Sequence, residues 1–259
     1  MASTSHPYQY IFPVTLTPGQ RVTPAIFTEA DSTFIVERLW MTNSDGLGGA
    51  SPFTVQFKDS ALNYTWSNNP VRCENIFGTL EFPAKLLDPI ALPPSTELSC
   101  AFENLDLINP NMIEIVLDGY RVYSQVDLPT RRWFQYVKDN ALLPSDVISD
   151  SLQINGDSDF LMKKLICNKD GEATFRMATT EMSGRYLSSQ FASLSNTFGR
   201  ALLPNTLQHP IKLGRLSLLQ YEMRNQVPIP NQVQLCFEGI KMWGNQTSAE
   251  GSGTAFGRR

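Results

Sequence analysis

The chain holds two histidines, His6 and His209. Imidazole is the usual general base and metal ligand near neutral pH. His6 sits in a polar stretch near the start and His209 precedes Pro210, so the paired-His spacing of zinc enzymes is missing. A serine nucleophile would have to borrow one of these two, and no G-x-S-x-G elbow occurs. No glycine loop with phosphate-cradling spacing follows a strand-like run. Carboxylates are the remaining chemistry. Glu114 and Asp118 share one strand-like run, whereas glycosidases need two facing carboxyls. Asp157, Asp159 and Asp170-Gly171 hint at calcium but lack the rest of a loop signature. Cys73, Cys100, Cys167 and Cys236 form no C-x-x-C and read as reduced thiols of a core. No catalytic, cofactor-binding or metal-ligating residue is therefore assigned, and no enzyme activity and no cofactor are expected.

Binding is the chemistry that remains. The chain carries 15 Phe, 8 Tyr and 4 Trp. Tyr64 and Trp66 fall in a polar loop, and Arg131, Arg132 and Trp133 fall together further on. Exposed aromatics beside arginine are the residue types enriched at interfaces, so these five are the interface candidates. Trp40 and Trp243 lie in strand-like runs and read as core plugs. Charged residues make up 18% of the chain, below the roughly 25% of average globular proteins. Such a surface relies on Ser, Thr, Asn and Gln and suits coverage by partners. A formal charge of −4 argues against direct nucleic-acid binding. No run approaches the roughly 18 apolar residues of a membrane span. The start has neither a basic nor an apolar region, so no secretory signal is expected.

What positions these residues is a unit that occurs twice. Tyr8-Gln9-Tyr10-Ile11 aligns with Phe134-Gln135-Tyr136-Val137, and Asp31-Ser32-Thr33-Phe34 with Asp157-Ser158-Asp159-Phe160. Asn43-Ser44-Asp45-Gly46 aligns with Asn168-Lys169-Asp170-Gly171, and Pro89-Ile90-Ala91-Leu92 with Pro210-Ile211-Lys212-Leu213. The run from Met112 to Tyr123 then aligns with the run from Gln232 to Trp243. The matches stay in order, and their offset drifts only where loops take insertions, as expected of a duplication.

Each unit reads as short antiparallel strands. Ile113, Ile115, Leu117, Tyr120 and Val122 alternate with polar residues, and the phase slips at Asp118-Gly119, the mark of a bulge. The copy slips at Glu238-Gly239. Phe53-Thr54-Val55-Gln56-Phe57 alternates cleanly, and Pro93-Pro94-Ser95 precedes a further strand. The expected fold class is all-β, two tandem antiparallel jelly-roll-like β-sandwiches related by internal duplication. The first spans residues 1–125, the second 126–243, and 244–259 reads as a flexible tail. In 183–203, Leu187, Phe191, Leu194, Phe198 and Leu202 fall at helical spacing, so a helix is expected in the second unit. Charge separates the halves: residues 1–126 hold 6 Lys and Arg against 13 Asp and Glu, and residues 127–259 hold 15 against 12. Opposite net charges favour ordered head-to-tail association.

Two collinear sandwiches with no catalytic set resemble the tandem jelly-roll structural proteins of virus particles. The similarity lies in architecture and in the strand from Ile113 to Tyr123 with its copy from Val233 to Trp243, and it extends over 8–243. The nearest resemblance is to cement, decoration or minor-capsid proteins of tailed bacteriophages. It implies a virion protein, assembled in the host cytoplasm, that binds and staples neighbouring subunits, with the major capsid protein or other virion subunits as partners and with self-association. Two rival readings stay open: a carbohydrate-binding or host-recognition module of a tail or baseplate, and a hydrolase, which would need a deep pocket with converging carboxylates.

Overall fold

The computed structural model describes residues 5–43, 52–123, 131–179, 186 and 188–243. The first module is built from β1 (Ser5–Leu16), β2 (Arg21–Val22), β3 (Ala25–Phe27), β4 (Thr33–Asn43), β5 (Phe53–Asp59), β6 (Tyr64–Thr65), β7 (Val71–Arg72), β8 (Ala84–Leu92), β9 (Glu97–Asn104) and β10 (Asn111–Val122). The second is built from β11 (Arg131–Leu142), β12 (Val147–Gln153), β13 (Asp159–Lys169), β14 (Ala173–Thr179), β15 (Ala192–Ser193), β16 (Asn205–Leu213), β17 (Leu218–Asn225) and β18 (Asn231–Met242).

The strands of each module alternate between two facing sheets, with the first strand paired to the last. One sheet has the order β1-β10-β4-β8 and its counterpart β11-β18-β13-β16. The opposing sheets run β2-β9-β5-β6 and β12-β17-β14-β15. Both are antiparallel throughout, and this wiring is the jelly roll. Period-two alternation buries one face of each strand: Leu98, Cys100, Phe102 and Asn104 of β9 point inward, as do Leu219, Tyr221, Met223 and Asn225 of β17. Pro24 offers no N–H to a ladder, so it splits the edge strand of the first module into β2 and β3, where the second has the continuous β12.

Local devices recur at equivalent positions. The pairing of β10 with β4 slips between Asp118 and Gly119, and that of β18 with β13 slips opposite Glu238 and Gly239. Gly119 and Gly239 lie so close to the Ile35 and Leu161 carbonyls of the neighbouring strand that a Cβ has no room. Buried Asn111 donates to Asn104, which donates to the Thr17 and Asn109 carbonyls. Asn231 likewise donates to Asn225, which donates to the Leu143 and Ile229 carbonyls. These amides hold turns whose backbone groups no strand satisfies.

The helix expected over 183–203 is reduced, among the described residues, to α1 (Leu194–Thr197). Ala192 and Ser193 pair with β14, one turn follows, and the Gly199 N–H then donates to the Leu165 carbonyl. Leu194 and Phe198 point inward from this turn, while Leu202 lies at an exposed tip. A strand, a turn and a hairpin together produce the spacing that reads as one helix. The 3-10 turn Cys73–Asn75 occupies the same place in the first module. The tail expected over 244–259 and most of the join, 124–130, lie outside the described residues.

Candidate assembly interface

The two modules meet along a polar seam. The stretch 64–75 of the first lies against the outer face of β11, β18 and β13. Gln135 donates its backbone N–H to the Trp66 carbonyl at 3.0 Å, and Asn68 donates its own to the Gln135 carbonyl at 3.3 Å. The Asn68 side chain accepts the Val137 N–H at 2.6 Å and donates to the Val137 carbonyl at 3.1 Å. Gln234 accepts from the Arg72 N–H at 2.7 Å and from Asn75 Nδ2 at 3.1 Å. Its own amide donates to the Pro70 carbonyl at 3.3 Å and to Asp139 at 2.9 Å. Lys164 Nζ donates to Glu238 at 2.9 Å and, across the seam, to the Lys85 carbonyl at 3.1 Å. Trp133 Nε1 donates to the same Glu238 oxygen at 2.9 Å. Apolar contact fills the remainder, since Trp133, Val137, Ile166 and Cys236 belong to the core cluster of the first module.

All five residues picked from sequence gather here. Trp66 and Trp133 meet edge to face at 6.2 Å, Tyr64 donates its hydroxyl to the Trp133 carbonyl, and Arg132 lies over the Tyr64 ring at 5.1 Å. Arg131 pairs with Asp88 at 3.5 Å. The expected exposure of the aromatics is corrected: Trp66 and Trp133 are each 1% exposed, and burial raises the Tyr64 phenol well above its ordinary range. The loop around them is polar because its groups are spent on backbone: the Ser67 hydroxyl donates to the Asn69 carbonyl, and Asn68 and the exposed Asn69 donate to the Val137 carbonyl of the edge strand β11. Sequence reasoning passed over Gln135, Gln234, Asn75 and the Lys164–Glu238 pair. The available signal was the alignment itself, in which Glu114 becomes Gln234.

Each side of the seam has an uncovered counterpart. The strand β1 is equivalent to β11, and Ile11, at 53% exposure, stands where Val137 is fully buried. Pro7 and Gln9 are exposed where Trp133 and Gln135 are buried, and Glu114 is exposed where Gln234 is buried. The Arg38 side chain, 48% exposed, pairs with Asp118 at 2.6 Å, where Lys164, 11% exposed, pairs with Glu238. On the opposite flank, β16 is open along most of its length while the equivalent β8 is largely covered. Asn196 is exposed where Asn75 is fully buried.

The carboxylates that hinted at calcium are engaged in structure. Asp157 pairs with Lys241, Asp159 with Lys212, and Asp170 with Arg72. Among the described residues no group of three or more His, Cys, Asp or Glu is placed to hold a metal ion. Burial pushes the Cys73 and Cys236 thiols well above their ordinary range, which leaves them inert. Glu172 organises the uncovered segment. Burial raises its carboxyl, but Lys169, Ser195 and Ser193 donate to it and bring it down to about 2. A carboxyl lowered on folding stabilises above its unfolded value, and that stabilisation is lost as pH falls through the folded value. Unfolding of Glu172→Gln should therefore show about 1 kcal/mol less stability at neutral pH, after solvent screening, with the difference vanishing between about pH 4.5 and pH 2.

The jelly-roll wiring, written twice in one chain, is the observation that bears on relatives. A solved structure of similar fold is the major capsid protein P2 from bacteriophage PM2. It shares 9% sequence identity and a TM-score of 0.50, over 91% of this chain and 99% of that one. The likeness is one of fold. The STIV MCP is also similar, at 10% identity and a TM-score of 0.49, over 94% of this chain and 99% of that one. No known family profile matches the sequence, and no curated protein matches it significantly.

Proposed function

We propose that the chain is a structural subunit of a virus shell that assembles with further copies of itself. The observation that carries this reading is the pair of uncovered surfaces on opposite flanks. The outer face of β1, β10 and β4 is equivalent to the covered face of the second module, and the segment 188–199 with β16 is equivalent to what covers it. A second copy can dock one on the other and repeat the seam. Such a contact joins two different surfaces, so it is head-to-tail, and it closes into a ring when its rotation divides a full turn. The capsid-protein fold supports a place in the virion.

Between an accessory protein that staples foreign subunits and a subunit that binds its own copies, the match of both flanks favours the second. The glycan-binding alternative loses its footing, because Trp66 and Trp133, the aromatics it would use, are buried in the seam. The test is light scattering on the purified chain. A discrete oligomer is expected, and Ile11→Arg should weaken it at least about tenfold by placing a charge in a desolvated contact. Ser149→Arg, on β12 at the opposite edge of the sheet from β15, should leave it unchanged. A chain that stays monomeric at every concentration and is missing from purified particles overturns the proposal.

A further inference from the structure

Resting on that head-to-tail reading, we propose that closing the seam between two copies takes up one proton at Glu114. In the internal seam the equivalent residue is Gln234, and its amide does two things at once. Its oxygen accepts from the Arg72 N–H and from Asn75, and its nitrogen donates to the Pro70 carbonyl and to Asp139, whose counterpart beside Glu114 is Pro13. In a seam between copies the facing groups are the equivalents Ser193, Asn196 and Phe191 of the second copy. One Glu114 oxygen can accept from the Ser193 N–H and from Asn196, as the Gln234 oxygen does. The other oxygen meets the Phe191 carbonyl, where a carboxylate sets acceptor against acceptor with nothing to donate. A carboxylic acid has the O–H that this place requires and reproduces the amide of Gln234. The proton comes from solvent and returns to it when the copies part, so association tightens as pH falls.

The charged surroundings act in both directions, so the proposal rests on the acceptor facing acceptor at the Phe191 carbonyl. On the open face, Arg38 is committed to Asp118, and Gln9 also donates to Asp118. Pro13 stands opposite Glu114 on β1 and Thr42 on β4, so neither neighbouring strand brings a cation beside it. The other titratable groups on these strands and on β8 are His6, Tyr8, Tyr10, Glu37, Lys85, Asp88, Tyr120 and Arg121, with Asp88 paired to Arg131 and Arg121 to Glu29. On the docking side, Glu172 is an ionised carboxylate bonded to Ser193 and Ser195, with its charge partner Lys169 beside it. A second negative charge beside Glu172 is disfavoured. Arg176 and Arg224 lie over the Phe191 ring at 4.6 and 4.9 Å, Arg176 paired with Glu222, and Arg200, His209 and Lys212, paired with Asp159, complete that side. The two histidines are replaced in the measurement so that its pH dependence reports on carboxyl groups.

The experiment is sedimentation of the full chain in a His6→Gln/His209→Gln background between about pH 7 and pH 4.5. The association constant should rise with a limiting slope of about tenfold per pH unit, the signature of one proton taken up. Glu114→Gln should associate at about pH 7 as tightly as its parent does in acid, and should lose most of the slope. Equal slopes in the parent and in Glu114→Gln, with both still weakened by Ile11→Arg, overturn the proton linkage and leave the head-to-tail contact standing. Association that Ile11→Arg leaves untouched overturns both.

Discussion

Glu238→Ala should destabilise the chain by about 3–5 kcal/mol in denaturant unfolding. Its carboxylate lies in the seam with 4% of the residue exposed and accepts from both Lys164 and Trp133. Truncation leaves the Lys164 ammonium buried with only the Lys85 carbonyl to solvate it, and strands the indole N–H as well. An unpaired buried charge is among the most expensive single defects a fold can carry. The equivalent truncation on the open flank supplies the control. Asp118→Ala frees Arg38, whose side chain is already half in water, and should cost no more than about 1 kcal/mol. Equal losses for the two variants would mean that the seam does not hold its ion pair away from solvent.

Gly119→Ala and Gly239→Ala should each lose about 3 kcal/mol or more. Both glycines lie at the slip in register, where the extra residue brings one strand's backbone onto its neighbour's carbonyl. The obstacle is the Ile35 or Leu161 peptide, which belongs to a central strand and cannot step aside as a side chain does. Gly156 makes the contrast: an added Cβ there meets the Leu216 Cδ2 at 3.1 Å, the movable end of a side chain, and alanine should cost less than about 1 kcal/mol. Thermal unfolding of the three variants separates the two kinds of contact.

The alternation of β9 and β17, the glycine slips and the collinear repeats were legible because each is a local rule applied twice. The jelly roll follows from them once a first strand can pair with a last. The helical spacing across 183–203 misled because period analysis sees spacing and not the partner strand, and Ala192 and Ser193 take theirs from β14. Tyr64, Trp66, Arg131, Arg132 and Trp133 were found by composition, but their surroundings were not. Polar loops are read as wet, whereas Asn68 and Asn69 are polar because Val137 needs its backbone satisfied. The Gln234 and Lys164–Glu238 contacts depend on two modules being pressed together, which no window of sequence contains.

The pairing of first strand with last has a consequence for how the chain leaves the ribosome. β1 waits for β10, and β11 waits for β18, so neither sandwich can close before its own final strand is made. Synthesis runs from the first residue onward, so the first module can be complete while the second is still emerging. The apolar side chains of β11 then appear beside a finished wall that already presents Trp66 and Asn68. The older half serves as a mould for the younger, and the surface most prone to stray adhesion is the one with the shortest unprotected life.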